Sequence, residues 1–275
     1  MSLELCVLAS GSAGNAAILR SPAGFLLIDA GIGPRTLAKR LDGTGVGPTD
    51  ITALCLTHLD GDHVSAHWAS TLCRLNIPIY CHADKVDALA SRSPDLAPLI
   101  RPFNAEAFSP IDGLTCHPVH FGHDQLGSHG FVVDGFGYRI GYATDLGHVP
   151  SYFFDRFRDL DCIALEANYD RQMQLDSARP LFLKRRIMGR RGHLSNQQAL
   201  AAIRKLIDRN RRVPDHIVLL HRSQECNCAD LVRQLFSIDP RIASRLTLAQ
   251  QHERSPWLGR ANRGQYIGEQ LTLEF

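Results

Sequence analysis

One run of six residues limits what this chain can fold into more than any other: His58-Leu59-Asp60-Gly61-Asp62-His63, directly after the apolar stretch Ile51 to Leu56. The apolar stretch reads as a buried strand, so four potential metal-binding side chains crowd a strand end. Imidazole nitrogen and carboxylate oxygen together suit Zn, Mn or Fe. Alternating side chains on a tight turn point to different sides, so the run can serve two ions. Turn chemistry alone accounts for Asp-Gly but not for two flanking histidines.

The same pairing of apolar strand and polar end recurs. Val119 leads into His120-Phe121-Gly122-His123-Asp124, Ala143 into Thr144-Asp145, Ile163 to Leu165 into Glu166, and Leu219-Leu220 into His221. Strand ends are where α/β folds usually build their chemistry. Taken alone, His221 reads more readily as a capping or surface residue than as a ligand, and His120, His123 and His129 are three candidates for ligation.

Elsewhere the pattern is regular. Strands are expected at Leu3 to Leu8, Ala16 to Arg20, Phe25 to Asp29, Pro78 to Cys81, Leu114 to Val119, Gly130 to Asp134, Tyr138 to Ala143 and Ile217 to Leu220. Helices are expected at Pro34 to Leu41, His63 to Leu75, Lys85 to Ala90 and Ala229 to Phe236. One is also expected over Ser195 to Asp208, where Ser195 and Gln198 form a capping box. No linker divides the 275 residues, so one domain over 1–275, with sheets covered by outer helices, is expected.

The formal net charge is only +2, so any attraction for nucleic acid must be local. Lys184, Arg185, Arg186, Arg190 and Arg191 supply such a run, just before His193. It reads either as a solvated face or as a phosphate-binding patch, which Arg209, Arg211 and Arg212 could extend. The eight cysteines are scattered, as expected of buried thiols in a reducing compartment. Cys226 and Cys228 are their one close pair. No leader or membrane span is evident, and a cytoplasmic protein is expected.

Taken together, these motifs resemble the metallo-β-lactamase superfamily, whose H-x-H-x-D-H signature stands here as His58-Leu59-Asp60-Gly61-Asp62-His63. Asp60 replaces the second histidine, which shifts preference toward harder ions such as Mn²⁺ and weighs against a true β-lactamase. Five further stretches are similar to the YycJ/WalJ group of metallo-hydrolases, described as 5′-to-3′ DNA exonucleases and related to tRNase Z-type phosphodiesterases. These are Leu8 to Asn15, Ala143 to Gly147, Leu165 to Asp170, Leu183 to Gly189 and Gly192 to Asn196.

The resemblance implies an α/β, four-layer αββα sandwich of two mixed sheets flanked by helices. It implies two divalent ions, Zn or Mn with Fe also compatible. His58, Asp60 and His123 would hold one, Asp62, His63 and His221 the other, and Asp145 would bridge them. The implied catalytic set is Asp62, His193 as general acid and Glu166 orienting it, with a metal-activated water as nucleophile. From its position alone, His193 is equally a helix-entry residue. The cationic run, with Ser10, Ser12 and Asn15, would contact substrate phosphates, although the Ser10 to Asn15 loop is equally a packing turn. A nucleic-acid substrate, DNA above RNA, follows; no membrane partner is expected, and a homodimer stays open. Two rivals remain: a hydrolase of a small cyclic phosphate, thioester or lactone, and a non-enzymatic metal-binding module.

Overall fold

The computed structural model describes residues 2–260. Residues 1 and 261–275 of the expected domain lie outside the described residues. Two six-stranded mixed sheets form the centre. The first runs in chain order through β1 (Glu4–Ala9), β2 (Ala16–Ser21), β3 (Gly24–Ile28), β4 (Ile51–Cys55), β5 (Ile79–His82) and β6 (Ile100–Phe103). The second orders β7 (Leu114–Phe121), β8 (Ser128–Gly135), β9 (Tyr138–Ala143), β10 (Cys162–Glu166), β11 (His216–Leu220) and β12 (Leu246–Leu248) in the same way. In each sheet the first two pairings are antiparallel and the next three parallel. The halves of the chain thus repeat one pairing scheme.

Alternation along the strands sets the layers. Leu3, Leu5 and Val7 face the other sheet, where they meet Phe131, Ile140 and Val218. Cys6 and Leu8 face outward onto α1 (Pro34–Arg40), α2 (Ala69–Leu75) and α3 (Val86–Arg92) through Leu37, Leu72 and Leu89. On β10, Cys162 and Ala164 point to the inter-sheet core, while Ile163 and Leu165 point outward. They pack under α4 (Phe153–Arg156), α7 (Asn196–Arg209) and α8 (Ala229–Phe236). Helix, sheet, sheet and helix are the four layers the resemblance implied. Two further helices, α5 (Arg171–Asp176) and α6 (Leu181–Met188), precede α7, and α9 (Pro240–Ala243) closes the set.

The expected helix from His63 to Leu75 is corrected. His63 and Val64 lie in a turn closed by bonds from both their N–H groups to the Asp60 carbonyl. Val64 also bridges to Ala30. A 3-10 turn at Ala66–Trp68, capped by Ser65, intervenes before α2 begins at Ala69. The metal-motif turn, not helix propensity, sets this geometry. Helix α3 likewise starts at Val86 after a 3-10 turn. Strands β6 and β12 and helices α4, α5, α6 and α9 were not anticipated. They are short, or lack the periodicity that marks α7.

Candidate active site

The strand ends of both sheets meet at one cleft of about 420 Å³, lined by Asp60, Asp62, His123, Asp145, His193 and His221. The residues there depart from regular backbone. Asp29 after β3, Asp145 after β9 and His221 after β11 take φ of 58, 55 and 54°. L-residues avoid this left-handed region unless their surroundings enforce it. Here Asp29 is held by Thr57, whose N–H and Oγ1 both donate to Oδ1 at 2.8 and 3.0 Å. The His221 N–H donates to Ser10 Oγ at 2.7 Å.

Each histidine is turned by what its Nδ1 meets. His63 Nδ1 lies 2.7 Å from Asp29 Oδ2, and His123 Nδ1 lies 3.0 Å from the Gly192 carbonyl. Thr57 gives its one hydroxyl proton to Asp29, so it accepts from His58 Nδ1, 2.9 Å away. His221 Nδ1 sits 3.3 Å from Glu166 Oε1. The Nε2 atoms are thereby left for the cleft. His63 Nε2 is 3.1 Å from Asp145 Oδ2, and His221 Nε2 is 3.4 Å from Asp62 Oδ2.

Two groups of donors emerge, His58 with His123 and Asp145, and Asp62 with His63 and His221, each with its ligand atoms within 4.8 Å of one another. This nitrogen–oxygen donor set, preset by Nδ1 partners, fits divalent metal ions. Asp60 stands farther out, its side chain 50% exposed and its Oδ2 3.8 Å from His58 Nε2. It groups with His123 and Asp124. His120 and His129 lie apart from the cleft: His129 stacks on His82 at 4.4 Å and meets His120 edge-on at 5.2 Å.

The electrostatics follow from burial among carboxylates. Burial, then the neighbouring His63, push His58 well below the usual imidazole range. Burial also acts to lower His63 and His221. For His63 it is outweighed by Asp29 and Asp145, which hold it well above its ordinary value. For His221, Asp145, Asp62 and Glu166 prevail and drive it up to about 10. Asp145 is held well below the carboxylate range by His221 and His63, against the effect of burial.

His193 forms a separate device. Its Nδ1 lies 2.6 Å from Oε1 of Glu166, a fully buried carboxylate at the end of β10. Glu166 Oε2 also accepts from the Leu146 and Leu194 N–H groups at 3.0 and 3.2 Å. Burial opposes the charge on each partner, yet Glu166 raises His193 and His193 lowers Glu166. The segment before His193 lies directly on the strand-end loops: a Cβ on Gly147 would stand 2.3 Å from the Arg190 carbonyl oxygen. His193 also joins Asp145, Glu166 and His221 in a fourth donor group.

The expected phosphate contacts divide. Ser12 and Arg186 line the cleft. Arg185, Arg190 and Arg191 line a neighbouring groove, whereas Lys184 Nζ donates to the Leu175 carbonyl at 2.5 Å and lines neither. Ser10 and Asn15 are buried beneath the cleft. Asn15 supports the metal motif: its N–H donates to the Asp62 carbonyl at 2.7 Å, and its Nδ2 lies 3.0 Å from His63 Nε2. A Cβ on Gly31 would reach within 1.8 Å of the Asp62 carbonyl oxygen, so this loop packs backbone to backbone. Sequence reasoning missed Asp29, Thr57, Asn168, Arg179, Ser223 and Glu225 as site residues; the position of Asp29 at a strand end and that of Asn168 within the resembling stretch Leu165 to Asp170 were the available signals. The Cys226–Cys228 pair joins no donor group among the described residues, and all eight cysteines are free.

A family model described as "Beta-lactamase superfamily domain" matches residues 25–217. The chain is 24% identical over 241 residues to "Exodeoxyribonuclease YycJ" of Bacillus anthracis, covering 86% of this chain and 89% of that protein. It is 27% identical over 251 residues to "Exodeoxyribonuclease WalJ" of Streptococcus pneumoniae, covering 84% and 86%. A crystal structure of a diphosphatase from the PhnP family superposes with TM-score 0.68 at 17% identity, covering 94% of this chain and 98% of that one. No helix among the described residues is long and apolar enough to cross a membrane.

Proposed function

The chain belongs to the beta-lactamase superfamily, and on that premise we propose that this metal-dependent hydrolase cleaves phosphodiester bonds of nucleic acid as a 5′-to-3′ exonuclease acting on DNA. One observation carries the reading. A histidine–carboxylate pair, His193 with Glu166 at 2.6 Å, faces a cleft lined with candidate metal ligands, and arginines from the segment before His193 line that cleft and the groove beside it.

His58, Asp60 and His123 would hold one divalent ion, Asp62, His63 and His221 a second, and Asp145 both; Mn or Zn suits the set, and Fe is compatible. When bound, they would supply Lewis-acid stabilisation of phosphoryl charge and an acidified water. The chain's own groups do the rest. His193 Nδ1 is engaged by Glu166, so its Nε2 is the atom that gives a proton to the leaving oxygen. Glu166 is a positioning residue, fixing tautomer and ring plane. Arg186 lines the cleft and neutralises phosphate charge there. The names of the two exodeoxyribonuclease relatives support DNA as the polymer.

The test is degradation of end-labelled DNA bearing 5′-phosphate or 5′-hydroxyl, with Mn²⁺, beside a small phosphodiester. The expected result is stepwise loss from the 5′ end, abolished by chelation and restored by metal. His193→Ala should retain its metal and lose about 10²–10⁴-fold in turnover; loss of metal instead makes His193 a ligand. Hydrolysis of a small phosphodiester is the second reading, favoured by the modest cleft of about 420 Å³. Turnover of the small ester alone would establish it.

A further inference from the structure

Beside the cleft lies a second, larger space of about 850 Å³, and the two share Asp60, His123, Asp124 and Arg186. Their charges are opposite. The cleft is lined by five carboxylates and two arginines. The groove is lined by six cations and two carboxylates. Of those two, Asp124 is committed to Arg186, which it binds through Nη2 at 2.7 Å, and Asp60 stands at the metal end. The cations come from two separate elements. Lys85 precedes α3 and Arg92 ends it, while Arg185 lies on α6 and Arg190 and Arg191 follow that helix.

Lys85 is the unusual member. It is only 2% exposed, yet it carries an ammonium group that lines the groove. Its Nζ donates to the Gly127 carbonyl at 2.9 Å and lies 3.5 Å from His129 Nδ1. No carboxylate among the described residues forms an ion pair with it. Burying a charge is costly without a counter-charge, and burial does depress its pKa. Arg92 is held in place by its bond to the Leu59 carbonyl. An anion in the groove would meet a fixed cation on one wall and exposed, adaptable arginines on the other.

We propose that this groove is a binding subsite for the sugar–phosphate backbone of a nucleic-acid strand that continues beyond the cleaved phosphate, with Lys85 as its fixed contact. The proposal rests on the phosphodiesterase reading and deepens it. A small diester has one phosphate, which the cleft itself takes, and would leave the groove empty. A polymer places further phosphates there, and a cationic groove that tracks a backbone is how single strands are commonly held.

The test compares Lys85→Met and the double variant Arg185→Ala/Arg190→Ala with the parent protein. Anisotropy of a labelled single-stranded DNA oligonucleotide, in a His193→Ala background, reads affinity without turnover. Turnover of that oligonucleotide and of bis(p-nitrophenyl) phosphate is measured in the active background. Lys85→Met should weaken oligonucleotide binding about tenfold, the scale of one charge-assisted bond, and reduce the slope of log affinity against log salt by about one. Its rise in KM on the oligonucleotide should exceed that on the small diester. If Lys85→Met does not fold, the double variant, whose side chains are exposed, should likewise weaken binding and reduce the slope by about two, one for each cation removed. Unchanged affinity and salt slope in the folded variants overturn the subsite and leave the phosphodiesterase reading standing. So does equal loss on both substrates, which marks a structural role. A parent protein that hydrolyses the small diester but neither binds nor cuts the oligonucleotide overturns both.

Discussion

Asp29 shows what a residue can do without belonging to a motif. It sits in left-handed backbone, takes two hydrogen bonds from Thr57, and its Oδ2 meets His63 Nδ1. Asn tolerates that backbone better than most residues but lacks the charge. Asp29→Asn should therefore leave the fold intact and weaken metal binding about 10–100-fold, read by competition with a chromophoric chelator. Full affinity would mean that Asp29 merely fills the turn. His63→Ala should go further and remove one of the two ions proposed to bind, counted by elemental analysis of dialysed protein. The ligand candidates were legible because four of them crowd one turn, and chemistry of that density has few other uses. Asp29, Thr57 and Lys85 were not legible. Their importance comes from a neighbour that folding brings to them, and an isolated Asp, Thr or Lys has no signature of its own.

At the scale of elements, the segment from α6 to α7 illustrates both outcomes. Helix α7 was plain in the sequence, with its buried stripe from Ala199 to Ile207 and the Ser195–Gln198 capping box. Helix α6 shows in the sequence as a charge run and a stretch of family resemblance, not as a helix. It buries no residue fully, and Leu181 and Phe182 are 68% and 72% exposed, so no apolar period marks it. Two variants separate support from chemistry here. Ser195→Ala removes the cap, which should cost about 1 kcal/mol and lower Tm by about 2–4 °C in a thermal melt. Gly147→Ala puts a methyl into the Arg190 carbonyl, so the His193 segment must lift. Turnover should fall with metal content nearly unchanged. Loss of metal in step with turnover would show that the displacement spreads to the strand ends.

On the scale of the whole molecule, the donors are shared between the sheets. His58 to His63 follow β4 of the first, while His123, Asp145 and His221 follow β7, β9 and β11 of the second. An ion bound across that seam ties the halves together and binds the native state alone. Saturating metal, at about 1,000 times its Kd, should stabilise the protein by about 4 kcal/mol. Calorimetry with and without chelator checks this, and an unchanged Tm would mean that no metal binds the native state in preference to the unfolded chain. The four-layer architecture was legible through the resemblance. The matching order of the parallel pairings in the two sheets was not, because a parallel neighbour leaves no local trace in a strand's own residues.

The seam has a consequence in time. Neither donor group is complete within the first sheet's half of the chain, and His221 arrives only once β11 has inserted between β10 and β12. A polypeptide still emerging from the ribosome and ending before β11 holds the motif His58 to His63 but lacks His221. Both donor groups therefore close late in the chain, the first only after β9 and the second only after β11.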